Sequence, residues 1–586
     1  MIQKKQMGNN ESGIFRIMDP MIKENSREDK RKRMLLTPVK VLWKTESCEE
    51  AAVENSDALL ENREPQISLQ AVNPCILHNR GKTASVLLDF GCEIHGGAII
   101  YAWQETKGDG VKVRVRFGES AMEAMSDIGE GKTATNDHAL RDFTTTIHSM
   151  SMTPVGETGF RFLRIDLLDP NTSLVLKGIK GVLIFKDIPY RGSFRSSDEL
   201  LNKIWSTGAY TVHLNMQNYI WDGIKRDRLI WAGDMHPEIT TIQTVFGYDE
   251  SVLDSLDLVR EETPLPGWMN GFPSYSMWWI IAQHDWFMHT GDMEYLKRQQ
   301  EYLTGLARQL SEFIGEDGKD ITPEVRFVDW PSSKDPEVVD TGIQAIHILA
   351  TIKLKQLFHI LDDYEMEELC KADLDRLKKW RGNFKNSKQA AALMVLAGMS
   401  DPKKTNEEIL RCGNAAGMST FMGYYILSAR ALAGDIQGCL DCVREYWGGM
   451  LSLGATTFWE DFDVRWMEKA APIDALLGDG EERIDVHGTY GNYCYKGYRH
   501  SLCHGWASAV TPWLTEYILG IQVKEAGCRR LDIEPHLGDL QWVEGTFPTP
   551  YGEVFISHRK KENGMTETRV EAPKEVKIVL VKENGV

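Results

Sequence analysis

Short apolar stretches that alternate with polar residues fill the chain from about residue 66 to residue 190. The segment "VKVRVRF" alternates strictly and puts its apolar residues, from Val111 to Phe117, on one face of a strand. Other β-branched stretches, among them "TASVLLDFG", "GGAIIYAWQE" and "RFLRIDLLD", are separated by Gly, Asp and Asn. Many short strands at close spacing predict a β-sandwich, which we assign to residues 66–195.

The apolar period changes after about residue 195. Leu200, Leu201, Ile204 and Trp205 recur at helical spacing, and segments such as "SMWWIIAQHDWFMHTG" are apolar around most of a helix. Such helices follow in pairs to about residue 520. Paired helices form either a solenoid or a closed toroid. The chain has no fixed repeat of roughly 30 to 45 residues, which favours a toroid for residues 196–520.

Strands return after residue 520. The segments "CRRLDIEPHL", "LQWVEGTFPTPYGEVFISHRKK" and "EVKIVLVKE" are strand-like, and "TPYG" is a turn signal between two of them. We assign residues 521–586 to a small C-terminal β-sandwich. The sequence therefore predicts a multidomain α+β protein in which two β-sandwiches flank a large helical domain.

Length and charge limit the classes of partner. A chain of 586 residues is too long for one hydrophobic core. Its formal net charge of -18 repels phosphate backbones and anionic membrane surfaces, so we expect neither nucleic acid nor membrane as a partner. No segment reaches the ~18 apolar residues of a membrane span.

The N-terminal extension, residues 1–65, has no apolar core long enough for a signal peptide. Its first thirty residues are polar and basic, and we expect them to be poorly ordered. Ten cysteines are scattered through the chain, and only Cys439 and Cys442 show CxxC spacing. They stand on a predicted helix, so buried thiols are favoured over a zinc site. We expect a cytoplasmic protein, since free thiols suit a reducing compartment.

Five loops between helices mix charged residues with large aromatic residues. They are "WDGIKRDRLIWAGDMHPE" (221–238), "PGWMNGFPSYSMWW" (266–279), "RFVDWPSS" (326–333), "GATTFWEDFDVRW" (454–466) and "YRHSLCHGWAS" (498–508). Each loop alone is explained by a packed aromatic ring beside a solvated charge. A toroid, however, gathers such loops at one mouth. Carboxylates and arginines bind hydroxyls and aromatic faces bind C–H patches, so the loops together predict a carbohydrate site.

Glycoside hydrolysis requires two carboxyl groups. One donates a proton to the leaving oxygen, and the other activates water or attacks carbon. The pKa of the acid must be raised by apolar walls or by neighbouring carboxylates. Asp227 has Asp222 and Asp234 nearby in the sequence, and Trp221 and Trp231 supply apolar walls.

The segment "DGIKRDRLIWAGD" resembles the motif D-x-x-x-R-[E]-R-x-x-W-x-G-D of family 78 glycoside hydrolases, the bacterial α-L-rhamnosidases. The matching positions are Asp222, Arg226, Arg228, Trp231, Gly233 and Asp234. "GATTFWE" resembles the segment that carries the second catalytic Glu of the family, here Glu460. "SLCHGWAS" resembles its S-L-x-H segment, here His504. "FGES", "ATNDHALRDF" and "TGFRFLRIDL" are similar to its accessory β-domain, and the resemblance extends over roughly residues 80 to 550.

This resemblance implies an (α/α)6 toroid flanked by β-sandwiches and a reaction without a metal or organic cofactor. It implies an inverting exo-glycoside hydrolase that releases terminal α-L-rhamnose from small oligosaccharides or glycosides, with Asp227 as the acid and Glu460 as the base. The expected substrate-binding residues are Asp222, Arg226, Trp231, Asp234, Trp268, Asp329, Trp330, Trp459 and His504.

One position departs from the family pattern. Asp227 stands where the family usually carries a general-acid Glu, and Asp is shorter by one methylene, about 1.5 Å of reach. Proton transfer tolerates little misplacement. Glu238 is the alternative acid, although a carboxylate in the first turn of a helix after Pro237 has a structural explanation, which we favour.

Two other functions remain open. The same toroid could act on another sugar, or it could be a polysaccharide-fragment lyase that uses Tyr490, Tyr493 or His504. A non-catalytic sugar-binding relative that has lost its acid is the third hypothesis.

Overall fold

A computed structural model describes residues 29–63, 73–129, 133–323, 325–478, 480–491 and 495–581 of the chain. The prediction that the first thirty residues are poorly ordered falls almost wholly on residues 1–28, which lie outside the described residues.

Nine antiparallel strands form the N-terminal domain within the described residues. They are β1 (Lys32–Leu36), β2 (Lys40–Lys44), β3 (Ala51–Glu54), β4 (Cys75–Asn79), β5 (Ala84–Glu105), β6 (Val111–Gly118), β7 (Asp142–Ile147), β8 (Ser151–Leu167) and β9 (Thr172–Phe185). Their order is β3-β4-β9-β5-β8-β6-β7, with β1 paired to β9 and β2 paired to β5. Strands β1 to β3 lie in the stretch predicted as an N-terminal extension, so the structure places that part of the extension in the sheet.

The alternation in β6 has the predicted consequence for packing. Val111, Val113 and Val115 are all 0% exposed, while Lys112 between them faces solvent. Val115 pairs with Ile165 of β8, and both belong to one apolar core. Complete burial of each such side chain stabilises the fold by roughly 1.5–3 kcal/mol. A short helix, α1 (Ala121–Met125), follows β6.

Strand β10 (Ser193–Ser196) leads into the helical domain. Its helices are α2 (Glu199–Asn215), α3 (Met235–Val245), α4 (Glu250–Glu261), α5 (Pro273–Thr290), α6 (Met293–Glu312), α7 (Pro336–Ile360), α8 (Tyr364–Leu377), α9 (Lys388–Leu396), α10 (Pro402–Thr405), α11 (Gly423–Leu432), α12 (Ile436–Ser452), α13 (Val486–Thr489) and α14 (Val510–Trp513). Short 3₁₀ segments are Ser56–Leu60, Met269–Gly271, Pro331–Lys334, Val464–Glu468, Gly497–Arg499, Gly505–Ala509 and Ala526–Cys528, and π-helical segments are Asn406–Leu410 and Leu514–Ile518.

The helices form two concentric rings. Helices α3, α5, α7 and α9 each pack against the next of this series, α9 packs against α11, and the helical stretch 505–518 closes the ring by packing against α11 and α3. Helices of the outer ring alternate with these along the chain. The inner helix α5 buries all but three of its 18 residues, whereas the outer helix α6 buries eight of its 20. Helices that are apolar all round must lie inside, so the predicted helical toroid is confirmed.

Two sheets form the C-terminal part. Strands β13 (Ile521–Glu525), β14 (Arg530–Ile533) and β18 (Lys577–Leu580) make one sheet. Strands β15 (Trp542–Thr549), β16 (Gly552–Lys560) and β17 (Thr566–Glu571) join β10 in the other. Since β10 precedes the toroid in the chain, this sheet ties the two ends of the helical domain together. A parallel two-residue pair, β11 (Ala470–Ala471) with β12 (Ile484–Asp485), lies within the helical domain.

Cys439 and Cys442 both lie buried on α12. The Cys442 sulfur is 3.2 Å from the Met418 sulfur, and the Cys439 thiol is 3.5 Å from the Leu427 carbonyl oxygen. Among the described residues, no helix has both the length and the apolar character needed to cross a bilayer.

Arg161 on β8 connects the N-terminal sheet to the helical domain. Its guanidinium binds both carboxylate oxygens of Asp89, at 2.8 and 2.9 Å, and donates to the carbonyl of Gly454 at 3.0 Å. Both charged residues are buried, Arg161 being 8% and Asp89 3% exposed. The ion pair lies within the N-terminal sheet and fixes the guanidinium because neither buried charge can be left without its partner, and the hydrogen bond to Gly454 joins this sheet to the helical domain.

Replacing Arg161 by Met should therefore lower the free energy of unfolding by about 3 to 5 kcal/mol, because Asp89 would remain buried without a cation. The measurement is the urea midpoint followed by tryptophan fluorescence. Arg569→Met, which removes the exposed ion pair with Glu571, is the matched control and should change stability by less than about 0.5 kcal/mol. An unchanged midpoint for Arg161→Met would contradict the role given to this pair.

Candidate active site

A cavity of about 500 Å³ lies where the inner helices begin. Its walls come from the residues just before or at the start of α3, α5, α7 and the stretch 505–518. Four carboxyl groups face it, those of Asp222, Asp227, Asp234 and Glu460. The aromatic lining residues are Trp231, Phe272, Tyr275, Phe327, Trp330, Tyr495 and Trp506. The volume is within the range of roughly 300–1,000 Å³ that is usual for small-molecule sites.

Larger clefts lie elsewhere on the molecule. One of about 790 Å³ is lined by four lysines and only one carboxyl group, that of Glu367. Another, of about 990 Å³, lies between α4 and α6 and has a single aromatic residue, Tyr302. Neither combines several carboxyl groups with aromatic walls, so the chemistry of the lining, rather than its volume, selects the 500 Å³ cavity.

Most of the residues predicted for the site line this cavity. Those that do are Asp222, Arg226, Asp227, Trp231, Asp234, Trp330, Glu460 and His504. The loops at 221–238, 326–333, 454–466 and 498–508 are thus brought together from distant parts of the chain, as expected at the mouth of a toroid.

Three predicted residues do not line it. The Trp268 indole packs on Phe313, with ring centroids 5.7 Å apart. Asp329 is buried and accepts hydrogen bonds from the Ser332 amide (3.0 Å) and the Ser419 hydroxyl (2.6 Å), so it organises the start of the 331–334 turn. Trp459 is 1% exposed and turns into the core beside its neighbour Glu460, because adjacent residues of an extended segment point to opposite sides.

Several lining residues were absent from the prediction. Three of them lie in the loops named from the sequence: Phe272, Tyr275 and Trp506. Those loops contain more aromatic residues than one site can use, so the sequence did not show which of them line the cavity. Tyr495 had no signal in the sequence: its ring lies 3.6 Å from the guanidinium carbon of Arg226, a stacking contact between residues 269 positions apart. His138 of the N-terminal domain was missed as well, and its Nε2 lies 3.3 Å from Asp227 Oδ1.

Asp222 determines the shape of the loop that carries Asp227. Its two carboxylate oxygens accept from the amides of Asp227 and Leu229, both at 3.0 Å, which folds the loop back on itself. Burial, and then the charge of Asp227, raises the pKa of Asp222 to about 7, while the two amide hydrogen bonds oppose this rise.

Arg226 joins the two carboxyl groups expected to be catalytic. Its Nη1 contacts Asp227 Oδ1 at 3.0 Å, and its Nη2 contacts Glu460 Oε2 at 2.5 Å. Because the terminal nitrogens of a guanidinium are about 2.3 Å apart, these two oxygens are separated by no more than about 8 Å. Burial lowers the pKa of Arg226, but Glu460, Tyr495 and Asp227 together raise it above its usual value.

Glu460 is held by the loop that follows the 3₁₀ turn at 497–499. Its amide donates to the Ser501 carbonyl (2.9 Å), and the Ser501 amide donates back to Glu460 Oε2 (3.1 Å). The Trp506 indole donates to the Glu460 carbonyl at 2.7 Å. The carboxylate is therefore fixed both by its backbone and by its side chain.

Asp234 and His504 face each other across the floor of the cavity, with Asp234 Oδ1 and His504 Nε2 3.0 Å apart. Burial raises the pKa of Asp234 well above its usual value, and the neighbouring charges of Asp222, Glu460 and Asp227 raise it further. Both effects favour the protonated form of this carboxyl group.

Glu238 lies one helical turn behind Asp234 and does not line the cavity. It is 1% exposed, and its Oε1 lies against Gly505, where a Cβ atom would be only 1.7 Å away. Burial, then the charges of Asp234 and Asp222, raises its pKa well above the usual value. Its position supports the structural explanation of this residue.

Two family models match the chain. Residues 189–391 match the bacterial alpha-L-rhamnosidase 6 hairpin glycosidase domain, and residues 520–584 match the bacterial alpha-L-rhamnosidase C-terminal domain. Over these two stretches the chain is similar to bacterial α-L-rhamnosidases. Its match to the helical domain covers the whole loop that carries Asp222, Asp227 and Asp234, and it ends within α9.

A curated α-L-rhamnosidase of Alteromonas sp. (strain LOR) is 23% identical over 456 residues, which are 69% of this chain and 46% of that protein. A family 78 rhamnosidase of Bacillus sp. GL1 has a similar structure, with a TM-score of 0.71 at 22% identity over 90% of this chain and 56% of that one. A rhamnosidase of Klebsiella oxytoca, solved with rhamnose bound, has a TM-score of 0.62 at 17% identity over 83% of this chain and 96% of that one.

The chain spans about half the length of the curated relatives that it matches. The structural similarities establish the fold, a six-hairpin glycosidase domain between β-domains, in agreement with the fold class predicted from the sequence.

Because the pKa of Glu238 is raised in the folded chain, its stabilising effect is greatest at acid pH. That effect is lost as the pH rises from the ordinary value of 4.5 towards the raised one, since the folded state then holds a proton that the unfolded state has released. The glutamine side chain in Glu238→Gln does not titrate. The stability of this variant relative to the unaltered chain should therefore increase from pH 5 to pH 8. Urea midpoints at the two pH values measure this difference in stability. A difference that stays constant with pH would contradict the raised pKa of Glu238 in the folded chain.

Proposed function

We propose that this chain is an inverting glycoside hydrolase that releases terminal α-L-rhamnose from small oligosaccharides or glycosides. The observation that carries the proposal is the pair of carboxyl groups, Asp227 and Glu460, joined by one guanidinium at an aromatic-walled cavity of a six-hairpin domain. The names of its relatives supply the sugar: the Alteromonas protein is called an α-L-rhamnosidase, and the Klebsiella structure contains rhamnose.

The lining suits a 6-deoxy sugar. Such a sugar has hydroxyl groups on one side and a methyl group and C–H faces on the other. Asp222, Asp234 and His504 form the polar part of the cavity, while Trp231 and Trp330 are among its apolar walls. Carboxyl groups hydrogen-bond to hydroxyls, and aromatic rings exclude water from the apolar edge.

Glu460 is the proposed base. The Ser501 amide and Arg226 both donate to its Oε2, and the carboxylate would take the proton from an attacking water. A fixed carboxylate places that water without further loss of freedom.

Asp227 is the proposed acid. Its side chain is 11% exposed, against 3% for those of Asp234 and Glu460, so it is the one nearest to the open side of the cavity where a leaving group departs. Burial raises the pKa of Asp222 to about 7 and the pKa of Asp234 well above its usual value, which favours retention of protons by these two carboxyl groups. Asp234 is the second candidate for the acid because it lines the cavity and its raised pKa favours the protonated form.

We also propose a cytoplasmic location and imported, short substrates. The nine described cysteines are all free thiols, which is the usual state in a reducing compartment.

Purified protein incubated with an aryl α-L-rhamnoside should release L-rhamnose, and proton NMR should detect the β-anomer first. The upper limit of about 8 Å between the contacted oxygens covers both the ~5–5.5 Å of retaining enzymes and part of the ~6.5–9.5 Å of inverting ones. The first anomer therefore decides the stereochemistry. No release from rhamnosides, with cleavage of another deoxyhexoside or uronoside, would reject the rhamnose assignment. An unsaturated product would identify a lyase.

Two substrates with different leaving groups distinguish the acid from the base. Asp227→Asn should lower kcat by about 100-fold or more on a rhamnosyl disaccharide, but much less on a nitrophenyl rhamnoside, whose leaving group departs without a proton. Glu460→Gln should slow both substrates alike, because water must be activated in either case.

Asp463→Asn is the control for Glu460→Gln, since Asp463 lies in the same loop but caps the turn 464–468. If Asp234→Asn shows the leaving-group dependence and Asp227→Asn does not, the acid is Asp234. If both substrates are bound but neither is cleaved by the unaltered chain, the non-catalytic hypothesis is correct.

A further inference from the structure

A buried lysine outside the cavity contacts two other parts of the chain. Lys225 is 5% exposed, and its Nζ lies 2.7 Å from Glu119 Oε2 and 3.4 Å from Glu123 Oε1. The same Nζ donates to the backbone carbonyls of Tyr498 (2.6 Å) and His500 (2.9 Å). Glu119 and Glu123 belong to the N-terminal domain, after β6 and on α1, so one ammonium links this domain to two loops of the helical domain.

The two carboxylates have no access to water. Glu119 and Glu123 are each 0% exposed. The Leu502 amide donates to Glu119 Oε2 at 2.8 Å, and the Glu119 amide donates to Glu123 Oε2 at 2.8 Å. Burial raises the pKa of Glu119 to about 7, while Lys225 acts in the opposite direction. Buried carboxylates of this kind require a cation in contact with them, which makes Lys225 part of a fixed geometry and not a mobile surface charge.

The position of Lys225 in the chain relates this contact to the cavity. Its neighbour Arg226 holds both Asp227 and Glu460. On the other loop, Tyr498 and His500 immediately precede Ser501, whose amide donates to Glu460 Oε2. The ammonium therefore fixes the backbone beside both proposed catalytic carboxyl groups, although it contacts neither.

We propose that Lys225 is a positioning residue that sets the distance between Asp227 and Glu460 by fastening both loops to the buried glutamates of the N-terminal domain. The inference rests on the proposed glycoside hydrolase function. Lys225 does not line the cavity, so its loss should change the alignment of the reacting groups and not the contacts made with the sugar.

Lys225→Met keeps the length of the side chain and removes the ammonium. It should lower kcat by about 100-fold and change KM by less than about threefold, because misplacement of about 1 Å costs a factor of this size. The matched control is Lys186→Met. Lys186 is also a buried lysine, 6% exposed, and it contacts Asp249 Oδ1 at 2.5 Å away from the cavity. The control should lose stability but keep its kcat.

A double variant separates positioning from stability. Lys225→Met leaves Glu119 without its cation, and Lys225→Met/Glu119→Gln removes that charge as well, so thermal stability should recover in the double variant. The hydrogen bonds to Tyr498 and His500 are still missing, so kcat should stay low. A kcat that recovers together with the melting temperature would overturn the proposal, as would an unchanged kcat in Lys225→Met.

Amide hydrogen exchange provides a readout that does not depend on the reaction. Lys225→Met should speed exchange at the amides of Asp227 and Ser501, which donate to Asp222 and Glu460, and Lys186→Met should not. Unchanged exchange at both amides overturns the positioning role even if the unaltered chain cleaves rhamnosides. Faster exchange in a chain that cleaves none leaves the positioning role standing and rejects the proposed function alone.

Discussion

The candidate site depends on one buried cation, Arg226, that contacts two carboxyl groups. The guanidinium of Arg226 is surrounded by protein, with Asp227 on one side, Glu460 on the other and the Tyr495 ring against its face. Removing a guanidinium from water is costly, and the cost is offset only when each of its donors finds an acceptor. The loops at 222–234, 458–463 and 495–506 must therefore come together around this group for the folded state to be stable, and in doing so they form the cavity.

The toroid explains why carboxyl groups collect at this end. The inner helices α3 and α5 begin at the cavity, with Asp234 as the N-cap residue of α3. Helix N-termini favour negative charge, but each by only roughly 0.3–1 kcal/mol, up to about 2 kcal/mol. Burial disfavours the ionised form of a carboxyl group by several kcal/mol. For Asp234 burial is the larger effect, since its pKa is raised despite its place at a helix start. The same end of the ring thus holds several carboxyl groups close together, and burial there raises the pKa values of Asp222 and Asp234.

The periodicity of apolar residues was enough to predict the architecture, because the apolar pattern of β6 and α5 in the sequence matches the burial of their residues in the structure. The site was predicted less completely. The resemblance of the segment 222–234 located the loop, but it could not tell which aromatic residues face the cavity: Trp330 lines it, whereas Trp268 packs on Phe313. That choice depends on side-chain direction after packing. Tyr495 and His138 could not be predicted at all, since their contacts with Arg226 and Asp227 cross between distant segments and have no local pattern.

The N-terminal domain completes the site, and this bears on the short side chain at position 227. His138 contacts Asp227, Glu119 accepts from the Leu502 amide, and Arg161 holds the Gly454 carbonyl. A carboxyl group shorter by one methylene can reach the same point only if its backbone lies closer, by about 1.5 Å. In this chain the amide of Asp227 is held by Asp222, and the residue two places before it, Lys225, is anchored in the other domain. The backbone position that decides whether Asp can replace Glu is therefore set largely by contacts outside the cavity, where a comparison of site residues alone would not find it.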